Sequence, residues 1–238
     1  MSPSSIAVRL NGADLRADLS GALFWPARRL LAVADLHLEK GSGFAARGRL
    51  LPPYDTAATL ARLAAAIERH DPETVVCLGD SFHDGKAPER LGRDDGERLA
   101  GLVRGRRWVW IAGNHDPTPP LHLGGIVQAE FVLSPLTFRH VAAADSSPGE
   151  VSGHFHPKAA LSWRGRRIGG RCFIGDDRRL ILPAFGAYAG GLDVHDPAIA
   201  GLFGRRTRIH ILGRRQLHSF PARLFAAAAA PFPVRGSG

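Results

Sequence analysis

Apolar runs alternate with amphipathic ones along the first half of the chain. Leu30 to Ala34 is continuously apolar and breaks at Asp35; a run of that length suits a strand covered on both faces. Residues 54–72 (YDTAATLARLAAAIERHDP) place Leu60, Leu63 and Ile67 at helical spacing, with Asp55 or Thr56 to cap the helix and Pro72 to stop it. A second buried strand is predicted within 73–84 (ETVVCLGDSFHD), ending at Gly79-Asp80. A weaker helix, interrupted by glycines, falls over 88–105, and a third strand lies within 106–117 (RRWVWIAGNHDP). Strand, helix, strand, helix, strand predicts a parallel βαβ sheet. Its polar clusters all fall at C-terminal strand ends, the edge where open α/β sheets bind ligands.

From about Gly125 the pattern changes. Short strand-like runs at 125–133, 135–142, 149–157, 166–175, 178–186 and 206–212 are separated by Pro, Gly and Asp turns, as in a mostly antiparallel sheet. Residues 226–238 (AAAAAPFPVRGSG) are low in complexity and are expected to be loosely ordered, leaving 1–225 as one domain. The expected fold is α/β, with two sheets and helices outside them.

Composition narrows the class. With 238 residues, 45% hydrophobic and 22% charged, the chain is an ordinary soluble globular protein. Cys77 and Cys172 form no CxxC pair, and Cys77 sits in an apolar run, so a buried free thiol is expected rather than a disulfide framework. The first twenty residues lack a charged segment followed by an apolar one, and no apolar run approaches the ~20 residues of a membrane span. The expectation is a cytoplasmic protein without membrane contact. A net charge of +9 favours a polyanionic partner. The excess is almost all arginine, with lysine only at 40, 86 and 158; nucleotide-composition bias produces the same pattern, so charge alone does not decide. Trp108 and Trp110 alternate on a strand and read as core, whereas Trp25 and Trp163 are free to be base-stacking rings.

The strand ends carry a consistent chemistry. Asp35 and His37 follow the first strand, Asp80 the second, and Asn114 and His115 the third; His154 and His156 stand two apart in VSGHFHPK. Residues at i and i+2 of a strand share a face. Carboxylate, imidazole and amide oxygens without a thiolate suit manganese, iron or zinc. A single Asp-x-His is weak evidence for a metal; four strand ends bearing such residues in order are specific.

In that order DLH, GDSFH, GNHD and GHFH resemble the calcineurin-like metallophosphoesterase superfamily, over Asp35 to His156. Residues 34–56 and 182–193 (LPAFGAYAGGLD) are similar, more narrowly, to the PdeM group, bacterial phosphoesterases associated with DNA ligase and DNA-damage-response genes. The resemblance implies a four-layer αββα sandwich with two divalent metals at one edge, manganese first, with iron or zinc as alternatives. It implies that Asp35, His37 and His156 hold one metal, that Asn114 and His154 hold the other, and that Asp80 bridges them. A further histidine of the second metal is assigned to His140, ending LTFRH, with His122 as the alternative.

Such a site attacks a phosphate with a hydroxide bridging the metals. His115 is then placed by analogy to protonate the leaving oxygen, its alternative being a mere neighbour of the ligands. Protein phosphatases of the superfamily carry an aspartate where this chain has His83, and DNA double-strand-break repair nucleases share the G-D-x-F-H pattern. That points to a diester substrate, although Asp84 is also placed to orient a histidine. Lys40, Arg47 and Arg49 follow the first metal loop, and Arg164, Arg166, Arg167 and Arg171 surround a later hairpin; together they suggest a track for a DNA backbone. The expected function is hydrolysis of DNA phosphodiesters, as a single-strand or flap endonuclease in repair, with ligase or helicase partners implied by the group. The alternatives are a small-molecule or cyclic-nucleotide phosphodiesterase or phosphatase, and a non-catalytic DNA-binding subunit.

Overall fold

Two hydrogen-bonded residues, Leu10 and Ala13, flank an Asn11-Gly12 turn in which both central residues have positive φ (44° and 84°), the geometry that a two-residue hairpin demands. This hairpin opens the computed structural model, which describes residues 4–49, 51–144 and 147–225; the tail expected at 226–238 lies outside them.

In chain order the elements are β1 (Ser5–Leu10), β2 (Ala13–Asp18), β3 (Leu23–Trp25), β4 (Leu30–Val33), α1 (Lys40–Ala45), α2 (Asp55–His70), β5 (Thr74–Cys77), α3 (Ala87–Arg90), α4 (Arg93–Val103), β6 (Arg107–Ile111), β7 (Ile126–Gln128), β8 (Glu130–Leu133) and β9 (Leu136–Arg139). They continue as β10 (Glu150–Ser152), β11 (Lys158–Trp163), β12 (Arg166–Gly175), β13 (Arg179–Ile181), α5 (Pro197–Ala200), β14 (Arg208–Leu212) and β15 (Leu217–Pro221).

The first sheet runs β1-β2-β3-β4-β5-β6-β7 and the second β15-β14-β12-β13-β10-β9-β8, with β11 paired to β12. Strands β4 to β7 are parallel, and β1 to β4 are antiparallel. The three N-terminal strands extend the parallel βαβ part, β4 to β7, into a mixed sheet. In the second sheet, β10 runs parallel to β9 and β13, and the remaining pairs are antiparallel.

The continuous apolar runs are explained by burial on both faces. Leu31, Val33, Val75, Cys77, Trp108 and Trp110 face the helices and pack on Leu60, Leu63, Ile67, Leu99 and Val103. Alternate residues Ala32, Ala34, Val76, Leu78, Val109 and Ile111 face the second sheet, against Phe131, Phe138, Val151, Phe173 and Leu180. Each fully buried leucine contributes roughly 2 kcal/mol. Beyond the second sheet, Cys172, Ile174, Ile209 and Ile211 meet Val194, Ile199 and Phe225. That outer layer is thin: α5 has four residues, so loops and β11 supply much of the cover. Both cysteines are buried and free. Trp25 belongs to the core between the sheets, which removes it as a base-stacking ring.

Two local outcomes differ from the pattern-based expectation. The run 125–133 is two strands in different sheets: Ile126–Gln128 closes the first and Glu130–Leu133 opens the second. The helix expected over 88–105 breaks at Leu91-Gly92 into α3 and α4. Among the described residues no helix is long and apolar enough to cross a membrane.

Candidate metal centre and active site

The parallel strands β4, β5 and β6 and the neighbouring strands β9 and β10 all deliver polar residues to one edge of the sandwich. Just past those ends the backbone turns sharply. Asp35, His37, Asp80, His154 and His156 have φ of 54°, 43°, 46°, 70° and 49°. The left-handed region costs a non-glycine residue about 1–3 kcal/mol, so the surroundings must hold it. The amides of Asp35, His37 and Leu38 bond the carbonyls of Gly79, Asp80 and Ser81 at 3.3, 2.9 and 2.9 Å. The Gly186 amide bonds the Asp35 carbonyl at 3.0 Å, and the His154 amide donates to Asp35 Oδ2 at 2.9 Å.

Asp55 and Thr56 do not cap α2 with their side chains. They reach out instead: Asp55 Oδ2 accepts from the Gly41 amide (3.0 Å), and Thr56 Oγ1 accepts from the Glu39 amide (2.8 Å) while donating to Glu39 Oε1 (2.8 Å). The start of α2 thus anchors the loop that leaves His37.

Glycines let the strand ends close in. A β-carbon on Gly79 (φ +78°) would collide with the His140 ring, one on Gly113 with the Asp80 backbone, and one on Gly153 would lie 2.6 Å from Asp35 Oδ2.

Two clusters result. Asp35, His37 and His156 form one, and Asp80, His140 and His154 the other; within each, one ligand atom per residue lies within 4.8 Å of the others. In the first, His37 Nε2 faces His156 Nε2 at 3.2 Å, and His156 Nε2 is 3.3 Å from Asp35 Oδ1. In the second, His140 Nδ1 donates to the Leu78 carbonyl at 2.8 Å, which turns Nε2 toward Asn114 Oδ1 (2.8 Å), His154 Nδ1 (3.2 Å) and Asp80 Oδ2 (3.5 Å). Of the two histidines considered for this position, His140 joins the cluster, and His122 is exposed on a 3-10 turn at Leu121–Leu123.

Facing ring nitrogens and oxygens, all lone-pair donors, fit a cation rather than one another. The electrostatics agree. Burial, aided by His156, lowers His37 to about 3, so its ring is neutral and able to ligate. His154 is lowered by burial and by His140. Burial works to raise Asp80, but the His140 ring and the His115 amide outweigh it and bring the carboxyl to about 2. His140 moves the other way: burial opposes protonation, and Asp80 and Asp35 overcome it. The carboxylates that draw a proton to that ring are the ones that attract a metal ion.

Beside the clusters stands His115. Its backbone N–H donates to Asp80 Oδ1 (2.9 Å) and its Nδ1 donates to the His83 carbonyl (3.0 Å), leaving Nε2 4.0 Å from Asp80 Oδ2. The side chain is 44% exposed, open to a substrate. The His83 ring stacks on His115 (centroids 5.8 Å, planes 17°) and on Phe44 (5.8 Å, 29°). Neither His83 nitrogen has a hydrogen-bond partner, and burial lowers the ring to about 4.

Asp84 binds Arg90 through both oxygens (3.0 and 2.9 Å) and lies 3.6 Å from Arg47. Its carboxylate is thus committed to arginines rather than to orienting a histidine, and Arg47 is neutralised in part. Arg171 is also taken: its guanidinium donates to the carbonyls of Ala184 (2.6 Å) and Phe185 (3.5 Å). Arg49, Arg164 and Arg167 are exposed, and Arg166 belongs to β12. The β11–β12 register puts 164–167 at and beside the hairpin tip, four to six residues or roughly 14–20 Å along the strand from Lys158.

Asp116 is a site-supporting residue not singled out from the sequence. Buried beneath the clusters, it accepts the Phe82 amide at 3.0 Å, and burial pushes it up to about 7. Its signal in the sequence is the aspartate that closes GNHD.

This edge, where two sheets bring carboxylates and imidazoles into paired clusters, defines a metal-dependent phosphoesterase. The chain belongs to the calcineurin-like phosphoesterase family, whose model matches residues 28–166. Among solved structures it is similar to the crystal structure of the Pseudomonas putida nuclease MPE, with 27% identity over 91% of this chain and 100% of that one, at a TM-score of 0.70. The phosphoesterase Yfce from E. coli is also found, with 14% identity over 81% of this chain and 98% of that one, at a TM-score of 0.41. No curated protein sequence matches the chain.

Proposed function

We propose that the protein is a phosphodiesterase that cleaves DNA with two divalent cations, manganese first and iron or zinc as alternatives, as a single-strand or flap endonuclease in repair. Asp35, His37 and His156 would hold one cation and Asn114, His140 and His154 the other, with Asp80 between them. When bound, such a pair supplies a water nucleophile at neutral pH and neutralises phosphate charge.

The chain's own groups do the rest. His115 presents Nε2 to the site while the His83 carbonyl holds Nδ1–H, so a proton carried on Nε2 is aimed at the leaving oxygen. Asp80 Oδ2 lies 4.0 Å from that nitrogen. A sugar alkoxide is a poor leaving group and gains most from that proton.

The observation that carries the diester reading is the stacked His83–His115 pair. The His83 ring, kept neutral by burial, presents a half-apolar wall where a carboxylate would repel a phosphate flanked by other phosphates. The similarity to a nuclease over nine-tenths of the chain supports a nucleic acid as the diester.

The test is metal-dependent hydrolysis of labelled single- and double-stranded DNA beside bis-p-nitrophenyl phosphate and p-nitrophenyl phosphate. Cleavage of DNA and of the bis-ester, with a slower monoester, is the expected result. A monoester preference without DNA cleavage would overturn the proposal.

A further inference from the structure

The His83 ring is held without a hydrogen bond, since both of its nitrogens are buried and have no partner. Stacking holds it instead, with the Phe44 and His115 centroids each 5.8 Å away. Its place therefore depends on how α1, which carries Phe44, is set against the loop after β5, which carries His83.

A chain of side-chain bonds makes that setting. Arg90, the last residue of α3, donates from Nε to Ser42 Oγ at 3.0 Å and from Nη2 to both oxygens of Asp84 at 3.0 and 2.9 Å. Ser42 stands two residues before Phe44, and Asp84 directly follows His83. Ser42 in turn donates to Glu39 Oε2 at 2.6 Å, and Glu39 Oε1 accepts from Thr56 Oγ1 at 2.8 Å. Glu39 is buried and held at a φ of 64°; Lys40, next to it, opens α1 and is half-buried. The bonds thus run from the start of α2 through Glu39, Ser42 and Arg90 to Asp84.

Gly43 lies where these parts meet. A β-carbon there would fall 2.9 Å from His83 Cδ2, 3.1 Å from Asp84 Oδ2 and 3.2 Å from Arg90 Nη2. The α1 backbone is therefore pressed against the His83 ring and against the ion pair that ties the two segments. The Arg90 and Asp84 side chains are only 23% and 25% exposed, so solvent screens the pair less than one on the open surface. A guanidinium serves the hydroxyl through Nε and the carboxylate through Nη2 at once; an ammonium has no such fork.

We propose that Arg90 is a positioning residue for diester specificity: by clamping Ser42 to Asp84 it sets the His83 ring against Phe44 and His115. The inference rests on the reading of the His83–His115 pair as the wall for a diester. It moves part of that specificity to a side chain outside both ligand clusters.

The experiment compares kcat/KM for bis-p-nitrophenyl phosphate and p-nitrophenyl phosphate in the natural protein, Arg90→Ala, Arg90→Lys, His83→Ala and the Arg90→Ala/His83→Ala double variant, with bound metal counted in each. Arg90→Ala is expected to lower the diester-to-monoester ratio about fivefold through a small misplacement of the wall, with two metals retained. Arg90→Lys keeps the charge and loses the fork, and should fall nearly as far. In the double variant the ratio should be no lower than in His83→Ala alone, because both losses act through one ring. Gly43→Ala removes no charge and crowds the ring directly, so it should shift the ratio the same way.

An unchanged ratio in Arg90→Ala (or in Gly43→Ala, should Arg90→Ala not fold), a natural ratio kept by Arg90→Lys, or losses that multiply in the double variant would each overturn the assignment. Failure of the phosphodiesterase reading looks different: the natural protein would prefer the monoester and leave DNA uncut, while Arg90 and His83 would still be coupled in the ratio.

Discussion

The His83 ring lies parallel to the His115 ring while the His83 main-chain oxygen takes the His115 Nδ1 proton. One residue therefore does two separable jobs: its backbone orients the proton donor, and its side chain shapes the wall beside it. His83→Ala keeps the first and loses the second. The expected result is a loss of about tenfold or more on a diester and a smaller loss on p-nitrophenyl phosphate, measured on one preparation. Equal losses would assign the ring to structure alone.

His115→Ala should retain both metals, since His115 is outside the two clusters. The rate should fall about 100-fold or more on DNA, the usual scale of proton donation. The fall should shrink when the leaving group is p-nitrophenolate, which needs no proton. A uniform loss across leaving groups would make His115 a positioning residue.

Gly79→Ala probes the second cluster without touching a ligand. At φ +78° and against the His140 ring, the added methyl displaces that ring. Bound manganese, counted by mass spectrometry after dialysis, should drop from two per chain toward one. Asp80→Ala should lower occupancy of both sites and abolish hydrolysis. Two tightly held ions and full activity in Asp80→Ala would refute its position between the clusters.

Asp18 ties β2 to the end of α2. Its buried carboxylate meets Arg69 Nη1 at 2.9 and 3.0 Å and His70 Nε2 at 3.0 Å. Burial acts to raise it, but the His70 and Ser20 hydrogen bonds and the Arg69 charge prevail and bring it to about 2, below its ordinary 3.8. A carboxylate lowered in the folded state stabilises above its unfolded value and loses that contribution as pH falls toward the folded one. Asp18→Asn should therefore cost about 2 kcal/mol at pH 7. The gap to the natural protein should narrow below about pH 4 and close near pH 2, by urea unfolding at each pH.

Asp35, Asp80 and Asn114 are readable because each follows an apolar strand buried on both faces, as with Val75 to Leu78 before Asp80. Pairing across sheets is less readable. Ile126 to Leu133 reads as one strand because no Gly, Pro or Asp interrupts it, and only the bend at Ala129 separates the sheets. The Asn11-Gly12 turn is a strong local hairpin signal in the sequence. Charge partners were the least accessible: Arg171, Arg47 and Arg49 look alike as residues, and only their surroundings distinguish a guanidinium closed on carbonyls, one facing Asp84 and one left in solvent.

Each ligand cluster takes residues from both sheets, Asp35 and His37 with His156, and Asp80 with His140 and His154. A bound ion is consequently a rivet through the seam between two layers that otherwise meet through apolar side chains and a few hydrogen bonds at Asp35. Its affinity is added to the work of prying the layers apart, by RT ln(1 + [M]/Kd) for each site. Chelation should then loosen the sandwich first at this end, so that a metal-starved cell would hold a protein not merely idle but easier for proteases to open.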